Sequence, residues 1–459
     1  MNKLIKKIGL ELEMPLVQQD GLAAGFDDVE KLLQDFSEQG WSKKFDPNTE
    51  ALISVGRETS EGLEVVSTDV GVCTLEVALA PVNSIDEAIK YWHDFKSSVL
   101  LPKIKNNHLK VLGYGTQPIS AQLQDLISKK GHHIIWKNMI EEDSKEWIFQ
   151  NFPGICSVQF NFQVSKEKTL EITNTFLQLL AFLWAASAND SIAASKKLPY
   201  KSQRFYAYLK IARGRMYCRS GLTIKPYLSL CDYINRTWSV SLFEIIRDGR
   251  NLYPQDMSLT TNKFINEKSA YFYSLDGILS QQKIELEDLK LAIYLYWPDF
   301  RLKFNFYPEI QYADLVSAVH SNNDEKLLEL IEYMILEVRP IAMQSNEEEL
   351  SWMIFSYLII ENLESISEYA SLWTYQDVKS AVIAAQNNGL RQSINGKNLG
   401  EIGLDLLAKI PKDSFQMYEQ YLSKLDFRCR EYCSPGDDAS RIFEDRGMEM
   451  LLDYLTIKC

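Results

Sequence analysis

The sequence predicts an α+β fold, in which an antiparallel sheet with one polar, concave face is surrounded by helices and followed by a helical C-terminal part. Three observations predict it. Segments with period-two alternation are concentrated before about residue 320, and helical patterns dominate after it. No unit repeats at a fixed period. No Pro/Gly/Ser-rich linker divides the chain, so residues 1–335 read as a mixed region and 336–459 as a helical part packed on it.

The strands carry most of the information. In Ile8-Gly9-Leu10-Glu11-Leu12-Glu13-Met14 the apolar residues fall on even positions. Strand periodicity then puts Glu11 and Glu13 on the other face, roughly 6.5 to 7 Å apart. Two carboxylates at that spacing suit divalent ions, and magnesium is usually held by one or two carboxylates plus substrate phosphates. In the segment Val72 to Ala80, Thr74, Glu76 and Ala78 share one face and Cys73, Leu75, Val77 and Leu79 the other, with Pro81 ending the strand. A third segment alternates Ile155, Ser157, Gln159, Asn161 and Gln163 with Cys156, Val158, Phe160, Phe162 and Val164. Its row of amides can hydrogen-bond a polar ligand. In the fourth, Arg301, Lys303 and Asn305 share a face, and the chain continues into Pro308-Glu309-Ile310-Gln311. Two cations beside a carboxylate cluster suit phosphate on metal. Any one polar strand face is explained by contact with water. Four faces that sort into acids, amides and cations supply what a metal–nucleotide site needs.

Helix signals punctuate the rest. Ser84 and Glu87 form a capping box before a helix over 84–99, and Thr374 and Asp377 start another that Asn388-Gly389 ends. The apolar run Phe176 to Ala188 is too short to span a bilayer and reads as a buried helix.

Composition narrows the function class. The 459 residues are 46% hydrophobic, enough for a large core, and carry a net charge of −13 without a basic stripe, which excludes nucleic acid as the expected partner. Lys3, Lys6 and Lys7 precede an apolar stretch broken by Glu11 and Glu13, which does not fit a signal peptide. Seven cysteines at irregular spacing, Cys429 and Cys433 among them, read as reduced thiols of a cytoplasmic protein with no membrane partner. His132-His133 has no ligand-spaced neighbours and reads as a surface pair. The Gly113/Gly115 turn lacks the lysine and serine of a P-loop and reads as a tight connection.

In this order the segments resemble the glutamate–cysteine ligases of the plant and proteobacterial type, within the glutamine-synthetase-like superfamily of carboxylate–amine ligases. The family opens with Ile-Gly-Thr-Glu-His-Glu, and here stands Ile8-Gly9-Leu10-Glu11-Leu12-Glu13. Its Phe-Glu-Leu-Ser-Gly-Ala-Pro is similar to Leu75-Glu76-Val77-Ala78-Leu79-Ala80-Pro81, and its Gly-x-Gly-x-x-Pro to Gly113 through Pro118. Its Thr-Val-Gln-Val-Asn-Leu is similar to Ser157-Val158-Gln159-Phe160-Asn161-Phe162, followed by the apolar helix to Ala188-Asn189. Arg204, Tyr208 and Arg219-Ser220-Gly221 resemble an arginine, an aromatic and an Arg-Thr-Gly of the family, with about four residues inserted. Trp297-Pro298-Asp299-Phe300-Arg301-Leu302-Lys303 and Glu309-Ile310-Gln311-Tyr312-Ala313-Asp314 resemble Phe-Pro-Glu-Val-Arg-Leu-Lys and Glu-Met-Arg-Gly-Ala-Asp. The stretch from Gly389 to Leu399 is weakly similar to one before the family's last long helix.

The resemblance implies a glutamine-synthetase-like sheet, with residues 1–335 as the catalytic region. It implies ATP and Mg²⁺ as cofactors, and glutamate or a similar amino acid plus cysteine or another amine as small-molecule substrates. The implied chemistry phosphorylates the γ-carboxylate and lets the amine attack the acyl phosphate, forming a γ-glutamyl amide. In that reading Glu11, Glu13 and Glu76 hold metal, with Glu309 as a further ligand. Arg301 and Lys303 stabilise the γ-phosphoryl group and bind nucleotide. Gln159 and Asn161 hold substrate, nucleotide or a metal-bound water. Arg204, Tyr208, Arg219 and Gln311 bind the amino-acid substrate. Two family residues differ: the histidine between the first glutamates is Leu12, and the arginine of Glu-Met-Arg is Gln311. A lost buried cation there is worth about 2 to 4 kcal/mol. The departures keep open a ligase for a different amine, and a binding protein that retains the fold without catalysis.

Overall fold

Alternating segments become strands because one side of each is apolar and has a helical layer to bury against. The computed structural model describes residues 3–137, 140, 142–211, 219–221 and 225–458. Its large sheet contains β1 (Ile5–Val17), β2 (Ser42–Phe45), β3 (Leu52–Glu58), β4 (Leu63–Thr68), β5 (Thr74–Ala78), β6 (Lys110–Val111), β7 (Val158–Val164), β8 (Phe300–Phe306) and β9 (Ile331–Val338). The order is β8-β9-β7-β1-β5-β4-β3-β2, and β6 pairs with the end of β1. Every pairing is antiparallel.

Leu10, Leu12, Met14, Leu75, Val77, Phe160, Phe162, Leu302, Met334 and Leu336 form the apolar face and are buried. The helices Ile85–Phe95, Thr169–Ser187 and Glu348–Glu361 pack on it. Thr169–Ser187 lies between the sheet and the C-terminal helices Leu363–Ala370, Tyr375–Asn388 and Leu399–Ala408. A helix covered on both sides has no polar stripe, which is why this run reads as continuously apolar. Ser84 and Thr374 cap their helices as their capping boxes predict, through Glu87 N–H and Asp377 N–H.

After residue 320 the chain is mostly helical, as the sequence predicts, with one strand of the large sheet set among the helices. Strand β9 interrupts the helices there, and position 335 lies inside it, between β8 and β7. The last helices therefore cover a sheet to which both portions of the chain contribute. Gly113 is a close-approach glycine, since a Cβ there would stand 2.3 Å from the Gln344 carbonyl oxygen. No helix among the described residues is long and apolar enough to cross a membrane, and the five described cysteines are free.

Candidate active site

Register brings the polar residues of five strands onto one face. Glu13 stands directly opposite Glu76, Glu11 opposite Gln159 and Gly9 opposite Asn161. Asn161 stands opposite Glu337, and Glu337 opposite Arg301. Acids thus occupy the β1–β5 side, amides the middle, and cations the β9–β8 side.

The cations converge on one carboxylate. Glu337 is wholly buried. Arg301 donates to its Oε1 at 2.8 Å, Lys303 Nζ lies 2.6 Å from the same oxygen, and Arg339 Nη1 lies 3.0 Å from Oε2. Burial alone would raise the Glu337 pKa, but the charges of Arg301, Lys303 and Arg339 outweigh it and hold the carboxyl well below the usual range. Lys303 also donates to Asn161 Oδ1 at 2.9 Å, and Arg339 donates to Gln159 Oε1.

The acids show the opposite behaviour. Glu13 is buried, its Oε2 accepting from Ser157 Oγ at 2.7 Å and its Oε1 from Gln159 Nε2 at 2.6 Å. Burial raises its pKa well above the ordinary value, and the charge of Asp69 adds to that. Glu76, partly buried, is raised to about 7, mainly by burial; Lys130 opposes the shift, and Glu11 and Asp69 reinforce it. Like charges directly opposite on a sheet repel, so these carboxylates need protons or a cation. Their donor set is all oxygen, which fits Mg²⁺. Among the described residues no three acidic, histidine or cysteine side chains stand close enough to hold an ion alone.

A space of about 180 Å³ lies beside Arg301, Lys303 and Asn305, and two more border the face. One of about 450 Å³ is lined by Lys7, Gly9, Glu11, Asn161, Gln163 and Lys303, among others. The other, about 130 Å³, lies at the acid end, where Asp69, Tyr208 and Arg339 meet the aromatic walls Trp136, Phe152 and Trp297. His132 and His133 line it too. The pair is therefore not on the surface: burial lowers the His132 pKa to about 3, and His133 Nδ1 bonds Ser128 Oγ at 2.5 Å.

Other expected site residues are committed to main chain or lie off the sheet face. Arg204 is buried and its guanidinium donates to the carbonyls of Arg339 and Pro340, at 2.7 and 3.1 Å, while stacking on Trp184 and Tyr208. Arg219, also buried, donates to the carbonyls of Leu295 and Ser241. Both terminal nitrogens of each guanidinium thus hold main chain, where a grip on substrate carboxylate was expected. Glu309 and Gln311 are exposed. The strand ends at Phe306, Pro308-Glu309 form a turn, and Gln311 takes the N-cap position of the helix Tyr312–His320 without a side-chain cap, so strand phase does not carry past 306. Their side chains do not project from the polar sheet face, contrary to the expectation for positions 309 and 311.

Sequence reasoning missed Glu337, Arg339 and Asp69. The alternation Met334, Leu336, Val338 against Glu337 and Arg339 was present but stood within a stretch read as helical. Asp69 lies on the turn between β4 and β5, which has no period.

Comparison with known proteins agrees with this architecture. Residues 7–217 match the model of glutamate-cysteine ligase family 2. The structure of the glutamate–cysteine ligase of Francisella tularensis in complex with AMP superposes with a TM-score of 0.56 at 13% identity, covering 99% of this chain and 88% of that one. A bifunctional glutathione synthetase from Pasteurella multocida gives 0.40 at 9% identity, covering 98% of this chain and 51% of that one, too loose a likeness to argue from. No curated protein matches the sequence. The resemblance to the glutamate–cysteine ligases is therefore shown, by the family pattern over residues 7–217 and by the fold over the chain as a whole.

Proposed function

We propose that the chain is an ATP- and Mg²⁺-dependent carboxylate–amine ligase that forms a γ-glutamyl amide bond. The observation that carries this reading is the division of one sheet face into a carboxylate set that forms no ion pair among the described residues and a cation trio sharing a single carboxylate. Bound magnesium would offset phosphate charge at Glu11, Glu13 and Glu76. Ser157 and Gln159 fix the Glu13 carboxylate for that task. Arg301, Lys303 and Arg339 are held ready by Glu337 to meet the negative oxygens of a phosphoryl group in transfer. Asn161 orients Lys303, and Gln159 orients Arg339. Arg204 acts one step back, fixing the main chain at Arg339 and Pro340.

Purified protein incubated with ATP, Mg²⁺ and L-glutamate should release ADP and phosphate only when an amine acceptor is added. Absence of that dependence across a broad set of amines sinks the ligase reading. If calorimetry also shows no Mg²⁺-dependent ATP binding, the chain keeps the fold without the chemistry.

A second reading concerns the acceptor. The cavity beside Asp69 is walled by Trp136, Phe152 and Trp297. Aromatic walls favour an amine with an apolar body over the short thiol of cysteine. In that reading Asp69 receives the ammonium end, and Tyr208 lines the wall. Comparing kcat/KM for cysteine with that for larger apolar amines separates the two.

A further inference from the structure

The polar face continues beyond the cations. Lys7 on β1 stands opposite Gln163 on β7, Gln163 opposite Ile335 on β9, and Ile335 opposite Lys303 on β8. Directly opposed residues hold their Cβ atoms about 4.5–5.5 Å apart, so these four side chains form one row across the sheet. The row lies next to that of Gly9, Asn161, Glu337 and Arg301, on the side away from Glu13 and Glu76. Tyr333 shares the strand phase of Ile335 and extends the face one pleat further.

Two features set this row apart. The other amides of the β7 polar face are engaged: Gln159 by Glu13 and Arg339, Asn161 by Lys303. The Gln163 amide makes no hydrogen bond among the described residues, so its oxygen and its nitrogen are both available. Beside it Ile335 places a half-buried apolar side chain between Gln163 and Lys303.

The sizes of the spaces decide what fits here. Gln163, Ile335 and Tyr333 line the space of about 450 Å³, with Leu79 and Pro81 on its β5 side. The spaces beside Arg301 and beside Asp69 hold only about 180 and about 130 Å³. A molecule as small as benzene fills a cavity of about 150 Å³, so neither of these admits a nucleoside.

We propose, on the ligase reading, that Gln163 reads the base of ATP. The flat face of adenine rests on Ile335 and Tyr333, and its edge meets the amide. The amide oxygen accepts from the exocyclic amino group and the amide nitrogen donates to a ring nitrogen, the bidentate pairing by which glutamine selects adenine. The polyphosphate then runs toward Lys303 and Arg301, so base, phosphates and carboxylates follow one another along the face.

Isothermal titration of the full chain in the presence of Mg²⁺ tests this with three probes. They are ATP, purine riboside triphosphate, which lacks the exocyclic amino group, and inorganic tripolyphosphate, which lacks the nucleoside. ATP is expected to bind about tenfold more tightly than the purine analogue, the worth of about one hydrogen bond. Gln163→Leu should bring ATP down to the affinity of the analogue. Ile335→Ser should weaken both nucleoside triphosphates about tenfold, through lost apolar contact. Both variants should bind tripolyphosphate as the parent does. The base assignment alone is overturned if the parent binds ATP no more tightly than the analogue, or if Gln163→Leu keeps the parent's preference. Heat from neither ATP nor tripolyphosphate overturns the ligase reading with it. Should Gln163→Leu fail to fold, Ile335→Ser decides: an unchanged affinity for ATP overturns the assignment.

Discussion

Glu13 on β1 and Glu76 on β5 face each other as a directly opposed antiparallel pair, and both carboxyl pKa values are raised. A structural pair would be expected to include a cation. Glu11 and Asp69 add further negative charge at Glu76, against the opposing charge of Lys130, and in the proposed reading a bound cation offsets it. Glu13→Gln and Glu76→Gln should each lower ligase turnover by about two to three orders of magnitude while leaving the fold intact. The same variants should lose the rise in Tm that Mg²⁺ with ATP gives the parent. Mg²⁺-dependent thermal shifts that persist in both variants would remove the pair from the metal site.

Glu337 has the reverse relationship with its surroundings, one buried carboxylate among three cations. Glu337→Gln leaves Arg301 and its neighbours uncompensated, and a loss of about 3–5 kcal/mol in stability is expected by urea denaturation. Lys303→Ala separates chemistry from folding better than Arg301→Ala, because Lys303 is the more exposed: its side chain is 24% accessible against 6%. Its turnover should fall about a hundredfold with little change in the urea midpoint. A midpoint that falls together with activity would make Lys303 structural.

Glu244 provides a pH prediction outside the candidate site. It is buried, accepts from Asn251 Nδ2 at 2.9 Å, and burial raises its pKa from 4.5 to about 8. The folded protein therefore keeps this proton where the unfolded chain has released it. Its contribution is fully present below the unfolded pKa and is lost as pH rises from about 4.5 to about 8. Glu244→Gln should flatten that part of the stability–pH curve, by an amount on the order of a few kcal/mol. Equal slopes for parent and variant would refute the assignment.

Gln311 is exposed and its amide donates to the Glu309 carbonyl at 2.8 Å. Restoring the family's arginine with Gln311→Arg should therefore leave kcat and KM for every substrate within about twofold, as surface substitutions usually do. A large change in either direction would show that the turn at Pro308-Glu309 approaches the ligand during turnover.

By itself the sequence determined the α+β class, the strand phases, the helix caps and the acids, amides and cations of four strands. Those properties depend on local period and capping chemistry, which neighbours in the chain decide. Gln159, Asn161, Arg301 and Lys303 were legible because an apolar partner alternated with each. Only the tertiary structure decided that Glu337 and Arg339 complete the face, because pairing of β9 between β7 and β8 is a contact between distant segments. Only packing revealed that Arg204 and Arg219 hold main-chain carbonyls, since a buried guanidinium takes whichever acceptors surround it. Glu309 and Gln311 were misplaced for the complementary reason: strand phase stops where the strand stops, and Pro308 turns the chain away from the sheet.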